Sequence, residues 1–402
     1  TVTTPGTSRK EDAWSASRGY PKSGVFHQSR LWMGGTNSLP DSLFGSVIGD
    51  FFNFDPGKAR DDEGIFVTLQ TSQVNDIQSM VSARKLQVYT SGAEFYCPQD
   101  VITPSNVSFE TQTNYGSNKV QPKSIDGQVL FPQRDSRALI LLNVVNQYQP
   151  PTSRNVGVLA PHLLNGISKM DIARGNSSSD ANYVYLLNAD GDVACLNYLP
   201  SENVEGYSLW QTDGTVQNIT VVGKKLYLVV NRGSSQFIEV EDDTLTVDCG
   251  LPVTASQTVD LTHLIGLDNV EAVGDGAYLG EFTPSASTDL GREVTSGYAG
   301  IAYRPRVRTM SIVTGLSNGT NYGQKKRIRR GLISLYESNS VSVNGTTIPD
   351  RTLGLDVFES PRPQTGLVRV KLRGYKLEQF LDVTQVAPLG FFIRSLGVEM
   401  KV

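Results

Sequence analysis

Paired short apolar runs recur along the first 240 or so residues at a nearly fixed interval. This recurrence constrains the fold more than any other feature of the chain. SGVFHQ with RLWMGG, residues 23–35, is the first pair; VNDIQSMVS (74–82) with RKLQVYTSG (84–92) is the second. VQPKSID (120–126) with GQVLFPQR (127–134) follows, then ISKMDIARG (167–175) with NYVYLLNADG (182–191), then VQNITVVG (216–223) with KKLYLVVNRG (224–233). Successive pairs begin about 46 to 51 residues apart. Short apolar runs bounded by Gly, Asn, Asp, Ser or Pro are strands with tight connections. Further runs supply outer strands: DSLFGSV, EFYCP, VSFETQT, ALILLNVV, VACLNYL, YSLWQTD and QFIEVE. A four-stranded sheet has two apolar faces and cannot bury both by itself, so such units stack on their neighbours. The period predicts a β-propeller of about five to six blades.

After Gly250 the period is lost and longer alternating runs appear: RVRTMSIVTG, GLISLYES, TGLVRVKLRG and GFFIRSLGVEMKV. They predict an antiparallel β-sandwich or platform with one wet face. The expected organisation is all-β, with an N-terminal segment at 1–18 that continues missing upstream sequence, a propeller at 19–250 and the sandwich or platform at 251–402. APHLLNGISKMDIA, residues 160–173, is the best helical candidate, over its first turn or two.

Apolar residues are 39% of the chain and charged residues 19%, with 38 glycines, a turn-rich mixture that suits β structure. The formal net charge of −4 gives no overall basic surface for wrapping nucleic acid. Cys97, Cys195 and Cys249 stand far apart with no CxxC, which implies neither a disulfide framework nor a zinc knuckle. No apolar run approaches the ~18 residues needed to span a bilayer.

Each motif with chemical potential has a structural reading. His27, His162 and His263 are isolated in sequence, and each is expected to donate a ring N–H to a backbone carbonyl. NADGDV, residues 188–193, resembles the start of a calcium loop but has Val193 at the sixth position and Leu199 at the twelfth, and reads as a hairpin. RDDEG, residues 60–64, could supply Asp61 and Glu63 as paired carboxylates, and otherwise reads as a turn or a helix cap. GDGAYLG, residues 274–280, misses the dinucleotide fingerprint. KKRIRR is the only dense basic run: Lys325, Lys326, Arg327, Arg329 and Arg330. It reads either as a solvated edge of the strand continuing into GLISLYES, or as a contact with another subunit or an adaptor. No cofactor or metal is implied.

Residues 19–57, GYPKSGVFHQSRLWMGGTNSLPDSLFGSVIGDFFNFDPG, resemble the tail nozzle, or tail tubular protein B, of short-tailed bacteriophages. So do DDEGIFVTLQTSQVNDIQSMV (61–81), LQVYTSGAEFYC (86–97), ITPSNVSFETQTNYGS (102–117) and LAPHLL (159–164), in the same order. The resemblance is looser over 251–402, where KKRIRR, VNGTTIPDR and the closing VTQVAPLGFFIRSLGVEMKV carry it. It implies a structural virion protein with no catalytic residues. It implies a homo-hexameric ring below the portal and adaptor that extends the DNA channel and takes part in genome retention and ejection. Fibres or a needle would dock on it, DNA would pass without sequence readout, and assembly would take place in the host cytoplasm. Mild acidity suits a wall that passes DNA without gripping it. The competing expectations are a phage glycan depolymerase on a β scaffold and a Kelch-like protein-binding propeller.

Overall fold

The computed structural model describes residues 13–70, 75–143, 152–177, 180–316, 319–350 and 360–401. Residues 1–12, 71–74, Val144, Val145, Arg351 and Val402, which belong to segments named above, lie outside it. The described residues are almost wholly β, with three single-turn 3-10 helices. Two compact units divide the chain, Thr1–Glu241 and Asp242–Val402.

The first unit is a succession of antiparallel sheets, each a meander in chain order. Sheet 1 holds β1 (Ser23–His27), β2 (Arg30–Gly34), β3 (Ser42–Gly45) and β4 (Ile65–Thr68). Sheet 2 holds β5 (Ile77–Ser82), β6 (Leu86–Thr90), β7 (Glu94–Tyr96) and β8 (Glu110–Thr113). In sheet 3 are β9 (Lys123–Ile125), β10 (Gln128–Pro132), β11 (Leu139–Asn143) and β12 (Thr152–Asn155). Sheet 4 is β13 (Lys169–Ala173), β14 (Asn182–Leu187), β15 (Val193–Leu199) and β16 (Val204–Trp210). Sheet 5 has three strands, β17 (Thr215–Val222), β18 (Lys225–Arg232) and β19 (Ser235–Val240). All five paired runs fold as the hairpins that open these sheets.

Successive side chains of a strand point to opposite faces, and here that alternation sorts residues into two different interfaces. On β10, Val129 and Phe131 pack with Val81 and Tyr89 of sheet 2, whereas Leu130 packs with Ile172, Val184 and Leu186 of sheet 4. On β14, Val184 and Leu186 face sheet 3, while Tyr185 and Leu187 join Val216, Ile219 and Leu226 of sheet 5. Trp32, Leu43 and Ile65 of sheet 1 join Ile77, Met80, Leu86 and Val88 of sheet 2. Sheets 2, 3 and 4 are thus apolar on both faces.

The opening strands of successive sheets also lie side by side: β1 by β5, β9 by β13, β13 by β17. Polar contacts tie them together. The Met80 N–H donates to Ser23 Oγ (3.0 Å). Asp171 on β13 accepts from Lys123 Nζ of sheet 3 (2.9 Å) and from the Val221 N–H of sheet 5 (2.7 Å).

Turn chemistry fixes the hairpins. Asp126-Gly127, Asp275-Gly276 and Asn344-Gly345 each place two residues at positive φ, the two-residue turn whose twist matches its flanking strands. The β1–β2 turn uses Gln28 and Ser29, at φ 49° and 55°. Left-handed backbone costs a non-glycine residue roughly 1–2 kcal/mol. The Gln28 amide offsets this by donating to Asp100 O (2.8 Å) and accepting from the Ile102 N–H (2.9 Å).

The second unit begins with a four-stranded sheet formed by β20 (Asp248–Val259), β21 (Val270–Gly274), β22 (Ala277–Phe282) and β23 (Thr288–Ile301), in the order β20-β23-β21-β22. Its own core gathers Val253, Leu261, Leu264, Val270, Leu290 and Val294. Then follow β24 (Arg306–Arg308), the small pair β25 (Gly315–Leu316) and β26 (Gly319–Thr320), β27 (Arg327–Ser338), β28 (Val341–Val343), β29 (Thr346–Thr347), β30 (Gln364–Lys371), β31 (Asp382–Gln385) and β32 (Ile393–Lys401). A sheet ordered β24-β31-β28-β29 and another ordered β30-β27-β32 share one core. Val341, Val343, Leu381 and Val383 enter it from the first side and Ile328, Ile333, Leu335 and Val370 from the second.

Two expectations need correction and a third is narrowed. The run RVRTMSIVTG is a strand only at Arg306–Arg308 within residues 306–314, because its partner β31 is four residues long and offers no further ladder. The helical candidate is helical over one turn only, a 3-10 turn at Pro161–Leu163, and its latter part is the expected strand, β13. KKRIRR is not at a sheet edge, since β27 lies between β30 and β32.

Candidate functional site

The run VFHQSRLWMGG holds one side chain whose position its neighbours in sequence do not announce. Arg30 is completely buried. Its Nη1 donates to Ser46 O (2.6 Å) and Glu63 O (2.5 Å), and its Nη2 to Asp61 O (2.6 Å). No carboxylate lies within ion-pair distance of it among the described residues. Burial lowers its pKa, and Asp62 acts in the opposite sense. The planar guanidinium still carries its charge, so three carbonyl dipoles replace its water.

Those carbonyls belong to one long connection, residues 46–64, between β3 and β4. The Ile48 N–H donates to Asp62 O (3.0 Å) and the Gly64 N–H to Asp55 O (3.0 Å). Glu63 Oε2 accepts the N–H groups of Lys58 (2.5 Å) and Arg60 (2.9 Å). A loop held at both ends and in its middle presents Phe52 at 92% exposure, with Asp50, Asp55, Asp61 and Asp62 exposed around it. RDDEG is therefore a stapled turn. One of its two candidate carboxylates, Glu63, serves the loop backbone itself.

The other sequence candidates separate as follows. NADGDV is the β14–β15 hairpin: the Asn188 N–H donates to Asp192 O (2.9 Å), and Gly191 sits at φ 90°. GDGAYLG is the β21–β22 hairpin. His263 Nε2 meets Cys249 O at 3.1 Å, as expected. His27 instead meets the Ser82 hydroxyl at Nδ1 (2.9 Å), while its buried Nε2 has no partner among the described residues, and His162 is exposed. Burial and Lys85 lower the His27 pKa. Cys97 and Cys195 are free, buried thiols. Burial raises the Cys97 thiol pKa and pushes that of Cys195 to about 12, so both are inert thiols at neutral pH.

The structure splits the basic run. Lys326 is buried, its N–H donating to Lys376 O (3.0 Å). Arg327 is half-buried and donates to Leu372 O (3.5 Å). Lys325, Arg329 and Arg330 are exposed, and Arg330 pairs with Glu399 (3.2 Å). Only these last three of the five can meet a partner without refolding.

Two buried carboxylates escaped the sequence reading. Glu94, on β7, accepts from Thr113 Oγ1 (2.5 Å) and from the Tyr115 N–H (3.2 Å). Burial pushes its pKa up to about 7, against those hydrogen bonds, the Gly116 N–H and the Arg134 charge. Glu271, on β21, pairs with Arg304 and accepts from Tyr278 (3.1 Å). A lone Glu inside an apolar strand was the available signal in EFYC and VEAVG.

No family model and no curated protein matches this sequence. Among solved structures, YCF48 bound to a D1 peptide is similar over 70% of this chain and 78% of that one, at 8% identity and a TM-score of 0.35.

Proposed function

We propose that the chain is a structural protein of a short-tailed phage virion, a ring-forming tail nozzle that extends the DNA channel below the portal and adaptor. The observation that carries this reading is the two-faced packing of sheets 2, 3 and 4, with the opening strands side by side between sheets 1 and 2, 3 and 4, and 4 and 5. Blades set around an axis have that arrangement. In this reading the five sheets are blades of a propeller of five to six, and the second unit is the platform. The segments that resemble the nozzle family most closely fall on sheets 1 and 2 and on the turn before sheet 4, and the looser ones on β27, β28, β29, β31 and β32. They supply core, turns and the stapled loop rather than a reaction centre. The loop's exposed Phe52 and acids then serve as a docking feature for a neighbouring copy, the adaptor, or fibres and needle. Homo-hexameric assembly in the host cytoplasm, a role in genome retention and ejection, and the lack of enzymatic activity belong to the same proposal.

The test is light scattering and negative-stain imaging of the purified chain, alone and with a tail adaptor. Rings that bind the adaptor support the nozzle. A monomer that ignores the adaptor points to a Kelch-like binding propeller. Sugar release from host capsule or lipopolysaccharide, lost in Asp61→Asn, would point to a depolymerase instead.

A further inference from the structure

The net charge of −4 conceals a division along the chain. Residues 302–402 hold 16 Lys and Arg against 7 Asp and Glu, a net +9, while residues 1–301 hold 20 against 33, a net −13. Most of the described residues of the basic segment belong to the two sheets that share one core.

Strand alternation decides where they point. On β27, Ile333 and Leu335 enter the core and Arg330, Leu332 and Ser334 face away. The register sets Arg330 between Lys371 and Glu399, and Leu332 between Arg369 and Gly397. Arg369 and Lys371 are two residues apart on one strand, about 6.6–6.8 Å, and neighbouring strands lie about 4.8 Å away. Arg394 stands over the Tyr336 ring of the same face at 4.4 Å. Among the described residues of these three strands the carboxylates are Glu337, exposed toward the far end of β27, and Glu399, which pairs with Arg330. Arg369, Lys371 and Lys401 are exposed and have no carboxylate within ion-pair distance among the described residues.

We propose that this outer face of β30-β27-β32 binds the phosphate backbone of nucleic acid, specifically duplex DNA, without sequence readout. Unpaired Arg and Lys on an open sheet suit phosphate. Protein interfaces are depleted of Lys and concentrate apolar groups at their centre, whereas nucleic-acid interfaces are strongly positive. Here the exposed apolar groups Leu367 and Phe392 lie toward the other end of the strands from Lys371 and Lys401. The anion-binding face rests on the charge map alone; the choice of duplex DNA rests on the conduit reading.

Fluorescence anisotropy with the full chain and a labelled random-sequence duplex of about 30 base pairs tests it between about 50 and 200 mM KCl. Four or five phosphate contacts give a log–log salt slope of about −4. Arg369→Glu with Lys371→Glu should weaken binding at least about tenfold and flatten the slope by about 2. Both sites are exposed, and an unchanged melting curve verifies the fold. Lys58→Glu with Arg60→Glu changes net charge equally and should weaken binding no more than about twofold. Equal weakening by both pairs, no binding at the lowest salt, or tighter binding of a poly-glutamate peptide or an RNA strand than of the duplex overturns the proposal. Light scattering on the same samples keeps the two readings apart. Rings that do not bind the duplex would sink this inference alone, and a duplex-binding monomer would sink the ring alone.

Discussion

Arg30→Met removes the fork that holds residues 46–64 while keeping an unbranched apolar stem that stops short of the guanidinium's place. Hydrogen bonds to a charged donor contribute about 1.5–3 kcal/mol each, so the three carbonyl contacts amount to about 5–9 kcal/mol gross. Against this stands the desolvation of a buried guanidinium with no carboxylate partner, several kcal/mol, which methionine abolishes. Two of the stranded carbonyls, those of Asp61 and Glu63, can reach water once the loop loosens, whereas that of Ser46 is in a buried contact. The expected net loss is about 2–4 kcal/mol. It should be local. Amides of Ile48, Gly49 and Gly64 should exchange faster by hydrogen–deuterium exchange while those of β14 and β15 keep their protection. Arg30→Lys should lose nearly as much, because a point ammonium cannot span three carbonyls. Unchanged exchange in residues 46–64 of Arg30→Met, or full protection restored by lysine, would refute the reasoning.

Three further predictions follow from the packing. Trp32, fully buried between sheets 1 and 2, should leave on truncation to alanine a cavity costing about 3–5 kcal/mol, measured by urea denaturation. Asp171→Ala strands the Val221 N–H and the Lys123 ammonium together and should cost about 2–3 kcal/mol, whereas Asp268→Ala, at an exposed site, should stay within about 0.5 kcal/mol. Glu94 has a folded pKa of about 7 against an ordinary 4.5. Its contribution is fully present below pH 4.5 and is lost as pH rises through 7, by about 3 kcal/mol in all. Denaturation midpoints from pH 5 to 8 should therefore fall in the parent and stay flatter in Glu94→Gln; parallel curves would contradict this.

What the sequence disclosed was local. Val129-Leu130-Phe131 and Val184 through Leu187 alternate between two neighbours, and Asp126-Gly127 closes a turn within a few residues. Period and turn signals together therefore placed the hairpins. The long strands β20 and β23 are joined across intervening structure rather than by a tight turn. Gly250, Pro252, Gly291 and bulges interrupt their alternation, and most of their residues touch water. Arg30 was illegible for another reason. Its partners are backbone carbonyls, which no side-chain pattern announces, and a charged residue after a turn reads as exposed. The basic face vanished in the total charge because the acids of residues 1–301 cancel it. KKRIRR drew attention as a run, yet its second lysine is buried, and the cations beside Arg330 come from β30, some 40 residues further on.

The nozzle reading stands or falls on assembly. Electron microscopy of the purified chain with its tail adaptor should show closed six-fold rings seated on the adaptor, with a mass of six chains by light scattering. Single-chain particles at every concentration, with or without adaptor, would contradict it.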